Sequence, residues 1–291
     1  MSDIKKAIIL AAGYGTRFLP ITKALPKEML PLVDKPVIQC IVEEVVQSGI
    51  REIILVTGKS KRAIEDHFDD TPELESFLET KGKGALAEKI RAISSLASFA
   101  YIRQKEPLGS GHAALQAQHI TGDEPVAVMG GDDVMVGKTP ALAQLLEVYK
   151  TYRAPVAALR RVPREKAHKY GIIAGKEVAP RVWKITGSVE KPDAKDAPSD
   201  LMVLVKYIFT PELFRYLAEV RPVPNGEISI PPAIDAYVKD GGACYGYEVE
   251  GEYYDCGDKL GYMRAVVDFG LAHQEIGEQF RAYLTERHED L

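Results

Sequence analysis

The run Lys6-Ala-Ile-Ile-Leu10 ends abruptly in the glycine loop Ala11-Ala-Gly13-Tyr-Gly15, and this junction constrains the fold more than any other stretch. A short run rich in β-branched residues and stopped by glycine is the pattern of a strand buried on both faces of a parallel sheet. Pro36 then opens a segment with Val37, Ile38, Ile41, Val42, Val45 and Val46 at helical spacing, closed by Gly49. Ile53-Ile-Leu-Val-Thr57 repeats the buried-strand pattern, and further strands are predicted over 97–103, 125–129 and 154–162, with a helix over 139–151. Strands alternating with helical segments over the first 160 residues predict βαβ units. The fold class expected is α/β, a Rossmann-like mixed, mainly parallel sheet flanked by helices. The polar, helix-like stretch 72–95 reads as an insertion between core units.

The second half changes character. Strand-like segments at 172–174, 183–189, 202–209 and 244–249 are separated by irregular loops, and helices are predicted over 211–217, 230–239, 259–270 and 275–286. Residues 193–200 form a polar loop rather than a linker, so one two-lobed unit over 1–291 is expected. Hydrophobic residues are 46% and charged residues 27%, which excludes disorder and coiled-coil rods. A net charge of −5 argues against a dedicated nucleic-acid binder while leaving room for a local basic patch. Cys40, Cys244 and Cys256 form no C-x-x-C pair, so no disulfide framework or structural zinc site is expected. The apolar run at 7–12 is too short for a signal h-region, and nothing approaches the ~20 apolar residues of a membrane span. The expectation is a cytoplasmic protein with no membrane partner.

In open α/β sheets ligands sit outside the carboxyl ends of the strands. Three predicted strands end in pointed chemistry: Leu10 leads to Gly13, Arg103 to Gln104, and Met129 to Asp132. The glycine loop exposes backbone N–H groups that can cradle phosphate oxygens, and Arg17, Lys23 and Lys27 add positive charge beside it. A dinucleotide fingerprint would need glycine where Phe18 stands and an acidic residue where Thr57-Gly58-Lys59 stands, which disfavours a nicotinamide enzyme. No Gly-Lys-Ser/Thr follows, so the P-loop pattern also fails.

Other segments offer complementary groups. The side-chain amide of Gln104 supplies both a donor and an acceptor, as the edge of uracil or thymine requires. In Gly130-Gly-Asp132-Asp133 two adjacent carboxylates at a strand end suit Mg²⁺, which binds one or two carboxylates plus substrate phosphates. Glu190-Lys191-Pro192, with Tyr170-Gly171, sets a carboxylate beside a cation, a pair able to meet sugar hydroxyls and a phosphate.

The stretch Ala11 to Pro36, AAGYGTRFLPITKALPKEMLPLVDKP, resembles the opening of bacterial UTP–glucose-1-phosphate uridylyltransferases, within the sugar nucleotidyltransferase superfamily. The resemblance runs nearly end to end, tight over residues 7–58 and 251–271 and looser between. It implies that Ala11, Ala12, Gly13, Gly15 and Thr16 wrap the nucleotide and that Gln104 and Gly109 read its base. It implies further that Arg17, Lys27 and Lys191 are catalytic, with Lys191 on the sugar phosphate. Gly171, Glu190 and Lys206 would contact the sugar, and Asp132 and Asp255, the latter from Tyr254-Asp-Cys-Gly257, would hold Mg²⁺. Residues 1–135 would form a nucleotide-binding half, 136–255 a smaller sugar-binding lobe, and 256–291 C-terminal helices. The substrates implied are UTP and glucose 1-phosphate, and a homodimer or homotetramer is the expected assembly. Alternatives are the same reaction with dTTP or another sugar 1-phosphate, or a non-catalytic regulatory relative that binds nucleotides. Departures cluster in the sugar lobe: Gly-Arg-Tyr of the family appears as Val205-Lys206-Tyr207, and Gln-Leu-Thr-Asp as Ser229-Ile-Pro-Pro232.

Overall fold

The computed structural model describes residues 4–222 and 226–289. Successive strand side chains point to opposite faces of a sheet, and here both faces are apolar. Ala7, Ile9, Ile53 and Leu55 enter one core layer, while Ile8, Ile54 and Val56 enter the other. Such double burial, worth about 1.5–3 kcal/mol for each Val, Leu or Ile side chain, needs helices on both sides. Helices Val37–Gln47 and Ala141–Tyr152 cover the first layer. Helices Ser110–Thr121, Pro211–Glu219 and Pro231–Lys239 cover the second.

One nine-stranded sheet carries both halves, in the order Ser98–Arg103, Glu52–Thr57, Lys6–Ala11, Val126–Gly130, Leu201–Phe209, Val156–Arg161, Tyr245–Glu248, Val182–Glu190 and Gly171–Ala179. The first four strands are parallel, as the βαβ reading requires. From Leu201–Phe209 onward the pairings are antiparallel except between Val156–Arg161 and Tyr245–Glu248. The insertion at 72–95 is a pair of helices, Pro72–Thr80 and Gly84–Ser94, whose one buried residue is Ala87. No helix among the described residues is long and apolar enough to cross a membrane.

Sequence patterning did not foresee one element. Asp133–Val136 pairs antiparallel with Glu252–Asp255, placing Asp255 opposite Asp133. Both strands are four residues long, too short for their alternation to stand out from a loop. This ribbon joins two segments remote in sequence at the edge of the cleft described below.

Lys206 has a different place from the one the resemblance implied. It is fully buried, and its ammonium donates to Glu44 Oε2 at 2.7 Å. Glu44 lies on helix Val37–Gln47, and its other oxygen accepts the Leu142 N–H at 3.0 Å. Alternation along Leu201–Phe209 explains the correction: Val205 lines the cleft, so its neighbour Lys206 points away from it. Lys206 therefore ties the sheet to two helices and does not line the cleft.

Candidate active site

The carboxyl ends of the parallel strands open into a cleft of about 520 Å³. Lys6–Ala11 delivers the glycine loop, whose Gly15 takes a left-handed φ of 66° and whose carbonyl accepts the Thr22 hydroxyl at 2.8 Å. Ala12, Gly13, Gly15, Thr16 and Arg17 all line the cleft, whereas Ala11 is buried beneath it and Lys23 lies outside it. Arg17 reaches across to donate to the Gly257 carbonyl at 3.2 Å, bridging the first loop to the Asp255 segment.

Gln104 follows strand Ser98–Arg103 and is 4% exposed. Its amide nitrogen donates to the Gly109 carbonyl at 3.2 Å and lies 2.8 Å from His112 Nδ1. His112 thus orients Gln104 from the first turn of Ser110–Thr121. Gly109 adopts a φ of 98°, and a Cβ there would lie 2.6 Å from the Ile228 carbonyl oxygen. Only glycine permits that approach. The contact brings Glu227-Ile228-Ser229, distant in sequence, against the loop beside Gln104.

Asp132, Asp133 and Asp255 converge from Val126–Gly130 and the Asp133–Val136/Glu252–Asp255 ribbon. Asp133 is buried, and both of its oxygens are used, Oδ1 accepting from the Tyr253 hydroxyl and Oδ2 from the Val205 N–H, each at 2.8 Å. Burial, reinforced by the charges of Asp132 and Asp255, pushes the Asp133 carboxyl up to about 6. Burial and the Asp132 charge likewise raise Asp255. Crowded carboxylates of this kind call for a cation.

Lys27, on the turn Lys27–Met29, meets part of that demand by pairing with Asp132 Oδ2. Burial alone would lower the Lys27 ammonium, but the charges of Asp132 and Glu28 outweigh it and hold it well above the usual lysine range. Asp132 and Asp255 also fit a divalent cation. A Cβ on Gly257 would sit 2.3 Å from Asp132 Oδ2 and 3.1 Å from Asp255 Oδ1, so glycine keeps the space between the two carboxylates open. Among the described residues no three His, Cys, Asp or Glu side chains are grouped to hold a metal alone. Two carboxylates that leave other positions to phosphate oxygens and water suit Mg²⁺ better than metals caged wholly by protein.

The opposite wall comes from the second half. Gly171 begins strand Gly171–Ala179, Glu190 ends Val182–Glu190, and Lys191 follows with a φ of 46°. The Lys191 ammonium lies 3.4 Å from Glu190 and 3.6 Å from Glu227, a loose arrangement at a half-exposed site. Burial raises the Glu190 carboxyl, opposed by Lys191. Val203, Val205, Tyr207, Ser229 and Pro231 complete this wall. Tyr14, Lys169 and Tyr253 also line the cleft as chain neighbours of residues singled out from sequence, and Glu227 is brought there by the approach of Ile228 to Gly109.

The chain's relatives are consistent with this geometry. The family model described as Nucleotidyl transferase matches residues 6–269. A UTP–glucose-1-phosphate uridylyltransferase of Bacillus subtilis is 48% identical over 284 residues, covering 98% of this chain and 97% of that protein. One of Staphylococcus haemolyticus is 46% identical, covering 98% and 99%. A solved UDP-glucose pyrophosphorylase complexed with UDP-glucose superposes with a TM-score of 0.85 at 41% identity, covering 93% of this chain and all of that one. A UTP-bound UGPase from Acinetobacter baumannii reaches a TM-score of 0.89 at 37% identity, covering 97% and 99%. This chain belongs to the nucleotidyl transferase family and, within it, to the group of bacterial UTP–glucose-1-phosphate uridylyltransferases.

Proposed function

We propose that this enzyme transfers the uridylyl group of UTP to glucose 1-phosphate, releasing pyrophosphate and forming UDP-glucose. One observation carries the reading: a single cleft sets Arg17 and Lys27 on one wall, Lys191 on the other, and Asp132 and Asp255 between. An oxygen of the sugar phosphate forms a bond to the α-phosphorus as the bond from that phosphorus to the bridging oxygen breaks, and the electron pair leaves with pyrophosphate. A phosphate monoester loses its second proton at about pH 6, so the nucleophile is already an anion and needs no general base. The obstacle is repulsion between anions, together with alignment.

Lys191 holds the incoming sugar phosphate, and Glu190 and Gly171 meet the hexose. Gln104 pairs with the base edge, while the amides of Gly13, Gly15 and Thr16 receive the triphosphate. Arg17 and Lys27 neutralise charge at the α-phosphate and on the departing pyrophosphate. Mg²⁺ held by Asp132 and Asp255 would supply further positive charge against the phosphates. The test is direct: purified protein with UTP, glucose 1-phosphate and MgCl₂ releases pyrophosphate and yields UDP-glucose, and EDTA abolishes both. Turnover with no sugar 1-phosphate would break the reading.

A second reading, another sugar 1-phosphate, is favoured by Val205, which lines the cleft where glycine is usual in the family. A panel of hexose 1-phosphates with UTP and dTTP separates it from the first. We also propose a homo-oligomer working in the cytoplasm. The exposed Leu74, Phe77 and Leu86 of the helix pair, with Met263 and Tyr283 of the C-terminal helices, offer apolar surface for a second copy. Light scattering coupled to gel filtration tests that assembly.

A further inference from the structure

Glu28 follows Lys27 on the same turn, yet its side chain is only 1% exposed. Its carboxylate accepts a 2.6 Å hydrogen bond from the ammonium of Lys61, itself 6% exposed. Neither residue lines the cleft, and the chemistry above uses neither. Buried ion pairs are costly to desolvate, so their presence beside a site calls for a reason.

The surroundings supply one. Glu28 lies under the turn bearing Asp132, since a Cβ on Gly131 would fall 3.2 Å from Glu28 Cγ. Lys61 belongs to the loop that begins at Gly58, and a Cβ on Gly58 would fall 2.7 Å from the carbonyl oxygen of Ala12 in the glycine loop. The pair therefore joins the turn of Lys27, the turn of Asp132 and the floor of the glycine loop. It also decides an electrostatic competition. Lys27 feels the carboxylates of Asp132 and, more weakly, Asp133 at the cleft, and that of Glu28 beneath it. With Glu28 neutralised by Lys61, Asp132 is the carboxylate that draws the Lys27 ammonium into the cleft.

We propose that Lys61 is a positioning residue for nucleotidyl transfer: by engaging Glu28 it leaves Lys27 aimed at the substrate phosphates, which presupposes the role given to Lys27 above. Without Lys61, the uncompensated Glu28 pulls Lys27 out of line. Misplacing a catalytic group by an ångström costs up to about 100-fold in rate.

Steady-state kinetics on folded enzyme, with circular dichroism as the check, test this. Lys61→Met is expected to lower kcat by about 10- to 100-fold, with the loss in kcat rather than in the KM for UTP. Adding Glu28→Gln removes the competing charge and returns kcat towards wild type, and Lys61→Arg keeps wild-type kcat. If Lys61→Met does not fold, Lys61→Gln, which can still hydrogen-bond Glu28 without a charge, must show the same fall. A folded, uncharged variant at position 61 with wild-type kcat overturns the proposal, as does a double variant that regains thermal stability but not rate. Lys27→Ala is the control: if it stays active, the role of Lys27 itself fails, whereas an inactive Lys27→Ala beside a fully active Lys61→Met sinks only the positioning.

Discussion

On the side of the cleft proposed to take the nucleotide, Gly13, Gly15, Thr16, Arg17 and Lys27 come from one continuous stretch that leaves a single parallel strand. On the side proposed to take the sugar, Gly171, Glu190, Lys191 and Val205 come from or follow three separate strands. The first wall offers backbone amides and a lysine held by Asp132 and surrounded by buried charge. The second offers a half-exposed lysine resting loosely between Glu190 and Glu227. A strand-end loop can be rigid through local geometry alone, whereas a wall assembled from distant strands is only as rigid as the contacts pinning each piece. In the sugar wall that pin is Lys206, behind the strand that carries Val205.

The largest expected effect tests that pin. Lys206→Met leaves Glu44 buried without its cation and should lower unfolding stability by about 3–5 kcal/mol, as read by urea denaturation. An unchanged urea midpoint would show that the sugar wall is held by something else. Next, Lys27→Ala should reduce kcat by about 10²–10³ with the fold intact. A loss confined to the KM for UTP would make Lys27 a binding group rather than a part of the preorganised wall.

Smaller effects belong to the looser wall. A charged hydrogen bond contributes about 1.5–3 kcal/mol, so Lys191→Ala should raise the KM for glucose 1-phosphate about 10- to 100-fold. The KM for UTP should not move, and an equal rise in both would erase the distinction between the walls. Val205→Gly should have the smallest effect, relaxing discrimination between hexose 1-phosphates by about tenfold. Unaltered selectivity across a sugar panel would remove Val205 from the specificity surface.

Much of the fold was legible in the residues. The parallel strands were readable because burial on both faces forces a continuous apolar run, and Lys6–Ala11 and Glu52–Thr57 have it. The insertion at 72–95 was readable because its helices bury almost nothing. The ribbon Asp133–Val136/Glu252–Asp255 was not, since four-residue strands carry too little pattern. Lys61 and Glu28 gave no signal either, because each is paired with a residue remote in sequence and the pair is buried.

By itself, then, the sequence determined the chemistry on offer: a glycine loop with its cations, an amide able both to donate and to accept, and carboxylates at strand ends. Those properties are local, fixed by residue type and by the few neighbours that shape a loop. Tertiary structure alone decided which charges meet. It turned Lys206 to the far side of the sheet, where its strand neighbour Val205 could have been the buried one had the register slipped by a residue. It also set Asp255 opposite Asp133 across the two-stranded ribbon. Charge placement is a long-range property, because a buried ammonium must find its carboxylate wherever the fold brings one.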